Sequence, residues 1–164
     1  MHRNERWLVP AAVWFVLVLQ SIVAHSQQLT IQKEDGKQTI LSRADLETLP
    51  HVKLQASAHD VSATFEGATL RDVLEKANVG FGEALKGKRL ASCLVAEAAD
   101  GYRVVIALPE MDPAFTDKQI ILAFLKDGKP LDEKEGPYRI VIPDEKRPAR
   151  WIRQLTVLKI VNVQ

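Results

Sequence analysis

The sequence predicts a mixed α+β fold: a single, sheet-dominated domain with a few short helices. Three observations lead there. Apolar runs of strand length recur from residue 29 to the end of the chain, several of them alternating with polar residues. Asp35-Gly36, Asp100-Gly101 and Asp127-Gly128 fall between such runs, where the chain must turn tightly. Only two stretches pair a helix start signal with an inward apolar face, one beginning at Ser42 and one at Thr69.

Taken in order, 29–31 and 39–41 form a hairpin around Asp35-Gly36. Ser42 caps a short helix, with Asp45 three positions on, Leu46 and Leu49 facing inward, and Pro50 beyond its end. Residues 52–56 alternate as a strand between His51 and His59. The polar stretch 57–62 reads as irregular, and Phe65-Glu66-Gly67 as the lead into the clearest helix. Thr69 is its N-cap and Asp72 stands at the reciprocal position. Leu70, Val73, Leu74 and Ala77 give the helix one buried face, and Asn78 and Gly80 end it. The glycine-rich stretch 80–87 lacks the Lys-Ser ending of a phosphate loop and reads as a connector.

Residues 90–96 and 102–108 are strands of a second hairpin. Two prolines in 108–113 discourage regular structure there. The continuous apolar run 120–125 predicts a central strand buried on both faces, and 132–135 a solvated acidic loop. Gly136-Pro137 turns into a short strand, 138–142, that Pro143 stops. Residues 155–163 alternate to the end. The expectation is about eight strands and two short helices.

Residues 1–26 have the layout of a secretory signal peptide. Arg3 and Arg6 precede an apolar run from Trp7 to Val23, and Ala24-His25-Ser26 puts small residues at the positions a signal peptidase reads. The expectation is a domain over 27–164 that is periplasmic or secreted, an uncleaved membrane anchor being the alternative. Without 1–26 the chain carries 20 basic and 20 acidic residues, a balance that argues against nucleic acid or an anionic membrane as partner. Cys93, the one cysteine, cannot form an internal disulfide and sits in a strand pattern, where it reads as a small buried hydrophobe.

Metal ligation and nucleophilic catalysis have no motif here: the mature histidines, His51 and His59, stand alone, and no G-x-S-x-G occurs. No residue is therefore assigned a catalytic or metal role. The remaining signal is a set of loops at strand ends. Arg147, Arg150, Trp151 and Arg153 follow the strand 138–142; His59 and Asp60 follow another; Asp100 and Tyr102 lie in a turn. Arginine offers a planar fork of donors to phosphate or carboxylate, so these loops, if they converge, suit a flat anionic ligand. The alternative is a solvated loop whose arginines pair with Asp144 and Glu145.

Six stretches occur in order: F-E-G-A-T-L-R-D-V-L-E-K-A (65–77), A-D-G-Y (99–102), I-I-L-A-F (120–124), D-G-K-P-L (127–131), G-P-Y-R-I-V-I-P (136–143) and R-W-I-R-Q-L (150–155). L-S-R-A-D-L-E-T-L-P (41–50) precedes them. Together they resemble the oxidoreductase molybdopterin-binding domain of sulfite oxidase-like proteins. The resemblance implies a mixed α+β fold whose strand-end loops cradle a pterin, with basic residues on its phosphate and a cysteine thiolate on molybdenum. It places the ligand contacts at Arg147, Arg150, Trp151 and Arg153, with His59, Asp100 and Tyr102 secondary.

The family's metal-binding cysteine belongs in the segment 55–60, which reads Gln-Ala-Ser-Ala-His-Asp. Serine is a poor substitute for a soft thiolate. Catalytic members also use additional length to enclose the cofactor. The resemblance thus implies a short exported branch that binds molybdopterin or another small anion without the metal and without independent catalysis. Two alternatives stay open: an active molybdenum oxidoreductase using His59, Ser57 or Cys93 as ligand, and a module that binds a small acidic ligand or a partner protein, such as a redox partner.

Overall fold

A computed structural model describes residues 27–58 and 61–163. The expected signal segment 1–26 and His59 lie outside the described residues. The architecture is two sheets around one core. The first sheet contains β1 (Gln28–Gln32), β2 (Gln38–Ser42), β5 (Ser92–Ala98), β6 (Arg103–Ala107) and β10 (Leu155–Asn162), in the order β2-β1-β10-β5-β6. The second contains β3 (His51–Ala58), β4 (Val61–Thr69), β7 (Ile121–Lys126) and β8 (Lys129–Pro130) in that order, with β9 (Arg139–Val141) also on β7. Inward residues of both sheets, among them Leu29, Ile31, Leu94, Ile106, Leu122, Phe124, Ile140 and Leu158, belong to one buried cluster. The last strand, β10, runs parallel to β1 and antiparallel to β5, which places it at the centre of its sheet.

The two helices form where their caps predict. In α1 (Arg43–Glu47) the Asp45 N–H donates to Ser42 Oγ at 3.2 Å, and the Ser42 N–H donates back to Asp45 Oδ2 at 2.9 Å. Leu46 carries the helix into the core. In α2 (Leu70–Lys76) the Asp72 N–H donates to Thr69 Oγ1 at 3.0 Å, and Leu70, Val73 and Leu74 are buried. Asn78, at φ 61°, ends the helical path in the left-handed region that asparagine tolerates.

Four expectations change. The stretch 57–62 is not irregular: β3 continues to Ala58 and β4 starts at Val61, pairing Ala58 with Val61 and Ser57 with Ser62. Phe65-Glu66-Gly67 is likewise strand, the middle of β4. Small residues hid it, since Ala63 and Gly67 supply a weak inward signal. Gly67 is required by a close approach: a Cβ there would lie 1.9 Å from the carbonyl oxygen of Leu122 on β7. A bulge between Glu66 and Gly67 accompanies this contact.

The proline-containing loop after β6 opens with a 3-10 turn, Leu108–Met111. It is tied down by Glu110, which accepts from the Ala107 N–H at 3.0 Å, and by buried Asp112. The Asp112 carboxylate accepts from the N–H groups of Gly82 (2.6 Å) and Ala114 (3.0 Å). The 132–135 loop is not wholly solvated either, because Glu135 turns inward.

Candidate functional site

The β3–β4 hairpin, the end of β7, the start of β9 and the loop before β10 enclose a cleft of about 320 Å³, at the lower end of small-molecule sites. Its position follows from register. Lys126, the last residue of β7, pairs with Phe65 on β4, and Ala123 pairs with Arg139 on β9. Two basic side chains thus converge beside one aromatic ring. The Arg139 guanidinium lies 5.0 Å from the Phe65 ring centre and the Lys126 ammonium 5.9 Å. Trp151 stands edge-on to Phe65 at 6.0 Å and lies 5.8 Å from the Arg139 guanidinium.

Arg139 is the centre of this arrangement. It is only 6 % exposed, and burial lowers its pKa against the pull of Glu135. Glu135 Oε1 forms an ion pair with Arg139 at 3.0 Å and accepts a hydrogen bond from Lys126 Nζ at 3.1 Å. The Glu135 side chain is 17 % exposed. Two donors remain unmatched: the Nε–H of Arg139 and the Nε1–H of Trp151, both buried and without a hydrogen-bond partner. Trp151 itself is 4 % exposed. Arg153 stands on the rim, exposed and without an ion pair among the described residues. Three cations and one carboxylate leave the cleft positive, a charge that suits an anionic ligand.

The opposite wall is apolar: Ala56, Ala58, Val61 and Ala63. This is the hairpin where the resemblance puts a metal-binding cysteine. Cys93 is elsewhere, buried on β5 in the first sheet, where burial raises its thiol pKa. No cluster of three metal-ligating side chains occurs among the described residues.

A second cleft, of about 310 Å³, lies beside the first and shares Pro148, Trp151 and Arg153 with it. Here two of the expected loops meet: Asp100 and Tyr102 face the segment 148–154. The Tyr102 hydroxyl donates to the Ala149 carbonyl at 2.9 Å, bolting the two loops together. Asp100 Oδ1 accepts the Tyr102 N–H at 2.9 Å.

The expected contacts therefore separate. Trp151 and Arg153 border both clefts, and Asp100 and Tyr102 the second. Arg147 is exposed and borders neither. Arg150 is occupied within the fold. Its Nε donates to Glu145 at 2.8 Å, its terminal nitrogens reach Glu110 at 3.2 and 3.3 Å, and one also contacts Glu145. That is the pairing with a nearby carboxylate which composition alone suggested. Residue reasoning passed over Arg139, Lys126 and Glu135. The available signal was a lone charge inside the apolar strand 138–142, since arginine is almost never fully buried unless it has a partner or a task.

The Arg150 pairs predict a stability effect in place of a binding effect. Burial works to raise the Glu110 carboxyl, but hydrogen bonds from Arg150 and from the Ala107 N–H outweigh it and hold the pKa below the usual range. Arg150→Gln is expected to cost about 1–2 kcal/mol of stability at neutral pH in urea titrations, the pairs being partly solvated. Because the folded Glu110 pKa is depressed, its contribution is complete above the unfolded carboxylate pKa. It disappears as pH falls through the folded value, so the gap from wild type should close on acidification. A tenfold loss of anion affinity in this variant would return Arg150 to the binding site.

Residues 17–162 match the family described as the oxidoreductase molybdopterin binding domain. No curated protein matches the chain significantly. Among solved structures it is similar to the sulfane dehydrogenase SoxCD from Paracoccus pantotrophus. The TM-score is 0.63 and the sequence identity 18 %, over 82 % of this chain. At that identity the likeness is one of fold, and the chain spans 38 % of the length of the SoxCD chain. The order of six motifs, the two-sheet fold and a family match over nearly the whole sequence agree: this chain belongs to the oxidoreductase molybdopterin-binding domain family.

Proposed function

We propose that the domain binds molybdopterin or another small anionic ligand in the first cleft and performs no molybdenum chemistry of its own. The observation that supports this reading is the pair of buried, unmatched donors, Arg139 Nε–H and Trp151 Nε1–H, beside Lys126 and Arg153. A phosphate or similar oxoanion has the charge to suit the cations and lone pairs for donors such as these. The donor set thus fits the anionic part of a pterin cofactor. It does not fit the metal: the described part of the hairpin, Gln55, Ala56, Ser57 and Ala58, supplies no soft ligand. On this reading Trp151 and Arg153 are ligand contacts, Asp100 and Tyr102 flank them, and Arg139 and Lys126 join them.

Export to the periplasm or beyond is part of the proposal, carried by the layout of 1–26. So is a redox partner protein, as the family would use.

The test is analysis of the protein purified from its own host. We expect pterin, detected by fluorescence after acid release, without stoichiometric molybdenum, and a mature N-terminus at Gln27 by mass spectrometry. One molybdenum per chain would overturn the metal-free reading. Absence of pterin, together with no binding of inorganic phosphate to the recombinant protein, would overturn the ligand-binding reading. An intact residue 1–26 would replace the cleaved signal by an anchor.

A further inference from the structure

The edges of the two sheets are not treated alike. An edge strand presents unpaired N–H and C=O groups that another strand can take up, so folds shorten, bulge, cap or cover it. On the first sheet, the Val105 carbonyl of β6 accepts from Arg150 at 3.3 Å, and β2 is five residues long and ends where the Ser42 N–H enters the cap of α1. On the second, β8 has two residues, and β9 is tied to the chain before β10 by the Ile140 N–H, which donates to the Ile152 carbonyl at 2.9 Å. β3 is the exception. It is eight residues long, pairs with β4 alone in an unbroken register, and contains neither proline nor bulge. Its backbone has no other hydrogen-bond partner among the described residues. Its one lysine, Lys53, lies on the same sheet face as Glu66 in an ion pair at 3.1 Å, and so does not guard the edge.

We propose that β3 pairs antiparallel with β3 of a second copy of this chain about a twofold axis at Leu54, joining the second sheets of the two chains. The strand is self-complementary in that register. Val52 faces Ala56, and on the polar face Lys53 meets Gln55 and His51 meets Ser57, so no like charges oppose each other. Pro50, which has no N–H, ends the ladder. A groove of about 340 Å³ borders this end of β3, between residues 55–57 with Ser62 and the loop residues Asp144, Glu145 and Lys146. Glu145 is held by Arg150, while Asp144 and Lys146 have no ion pair among the described residues. The loop therefore offers a carboxylate to the incoming Lys53 and an ammonium to the Glu66 beside it. One strand pair is small against a standard interface of about 1,600 Å², so a dissociation constant of about 1–100 μM is expected. The inference is independent of the anion reading of the first cleft.

Sedimentation equilibrium of the purified protein over a series of concentrations tests this, and its mass should rise from monomer to dimer across that range. Gln55 is exposed and, in this register, lies opposite Lys53 of the second copy twice in each dimer. Its charge should therefore tune the dimer and leave the fold intact, which circular dichroism of each variant checks. Gln55→Glu should tighten the dimer about three- to tenfold, and Gln55→Lys should weaken it by about as much. Ile40→Lys, at an exposed position on the edge strand β2 of the other sheet, should leave it unchanged. A protein that is monomeric throughout the range would overturn the proposal and leave the edge to a strand of another protein. A dimer indifferent to both Gln55 substitutions, or one dissociated by Ile40→Lys, would overturn it by placing the interface elsewhere.

Discussion

Gly67→Ala is expected to destabilise the domain by about 4 kcal/mol or more, enough to leave little folded protein. The reason is distance. A methyl group at Gly67 would meet the Leu122 carbonyl oxygen at 1.9 Å and the Leu122 carbonyl carbon and Ala123 Cα at 2.8 Å. All three are backbone atoms of β7 and have no rotamer to change. Gly67 is not at positive φ, so the cost is steric overlap and not backbone strain. Relief would require β4 to move off β7, and β4 lies between β3 and β7 in the sheet. The same displacement would separate Phe65 from Lys126 and open the ligand cleft. Gly80 is the contrast. There a Cβ would meet only the Ala84 side chain, at 2.9 Å, so Gly80→Ala should cost about 1–3 kcal/mol as ordinary overpacking. Chemical denaturation of the two variants distinguishes them. A Gly67→Ala protein as stable as the Gly80→Ala one would remove the close approach of β4 to β7 as the reason for a glycine at 67.

Arg139→Met carries the second large effect, and it falls on both binding and stability. The guanidinium is packed against Phe65 and Trp151 and ion-paired with Glu135. Removing it leaves the largely buried Glu135 with Lys126 alone, and stranding a buried charge costs about 3–5 kcal/mol. Lys126 and the remaining solvent access should hold the loss nearer the lower figure. Methionine keeps much of the volume, so the loss reports charge more than cavity. Phosphate affinity should fall by about 1.5–3 kcal/mol, roughly ten- to more than a hundredfold, since the lost hydrogen bond is charge-assisted. Arg139→Lys should recover part of the stability but little of the affinity, because an ammonium lacks the planar fork. A folded Arg139→Met protein that binds phosphate within twofold of wild type would remove Arg139 from the site.

Much of this was legible in the chain. Local signals are strong where one residue type does a job that few others can. The Asp-Gly turns, the N-caps at Ser42 and Thr69, and the continuous apolar run of β7 appear in the structure as read, except that Asp72 accepts from the Thr69 hydroxyl and not from its backbone N–H. The family was legible because its motifs keep their order. The strand β4 was not, because its inward positions are an alanine, a phenylalanine and a glycine whose small size matters only against β7. The arginine cluster could be recognised as cationic but not apportioned. Arg150 and Arg153 lie three residues apart, yet one is held by Glu110 and Glu145 and the other is exposed and borders two clefts. Sequence alone determined the fold class, the cap chemistry and the family, since each depends on residues close together or in fixed order. Which charges face a ligand was decided only by the tertiary structure. The pairing of Lys126 with Phe65 and the approach of Glu135 to Arg139 depend on strand register, and ion pairs form between carboxylates and arginines as much as 41 residues apart.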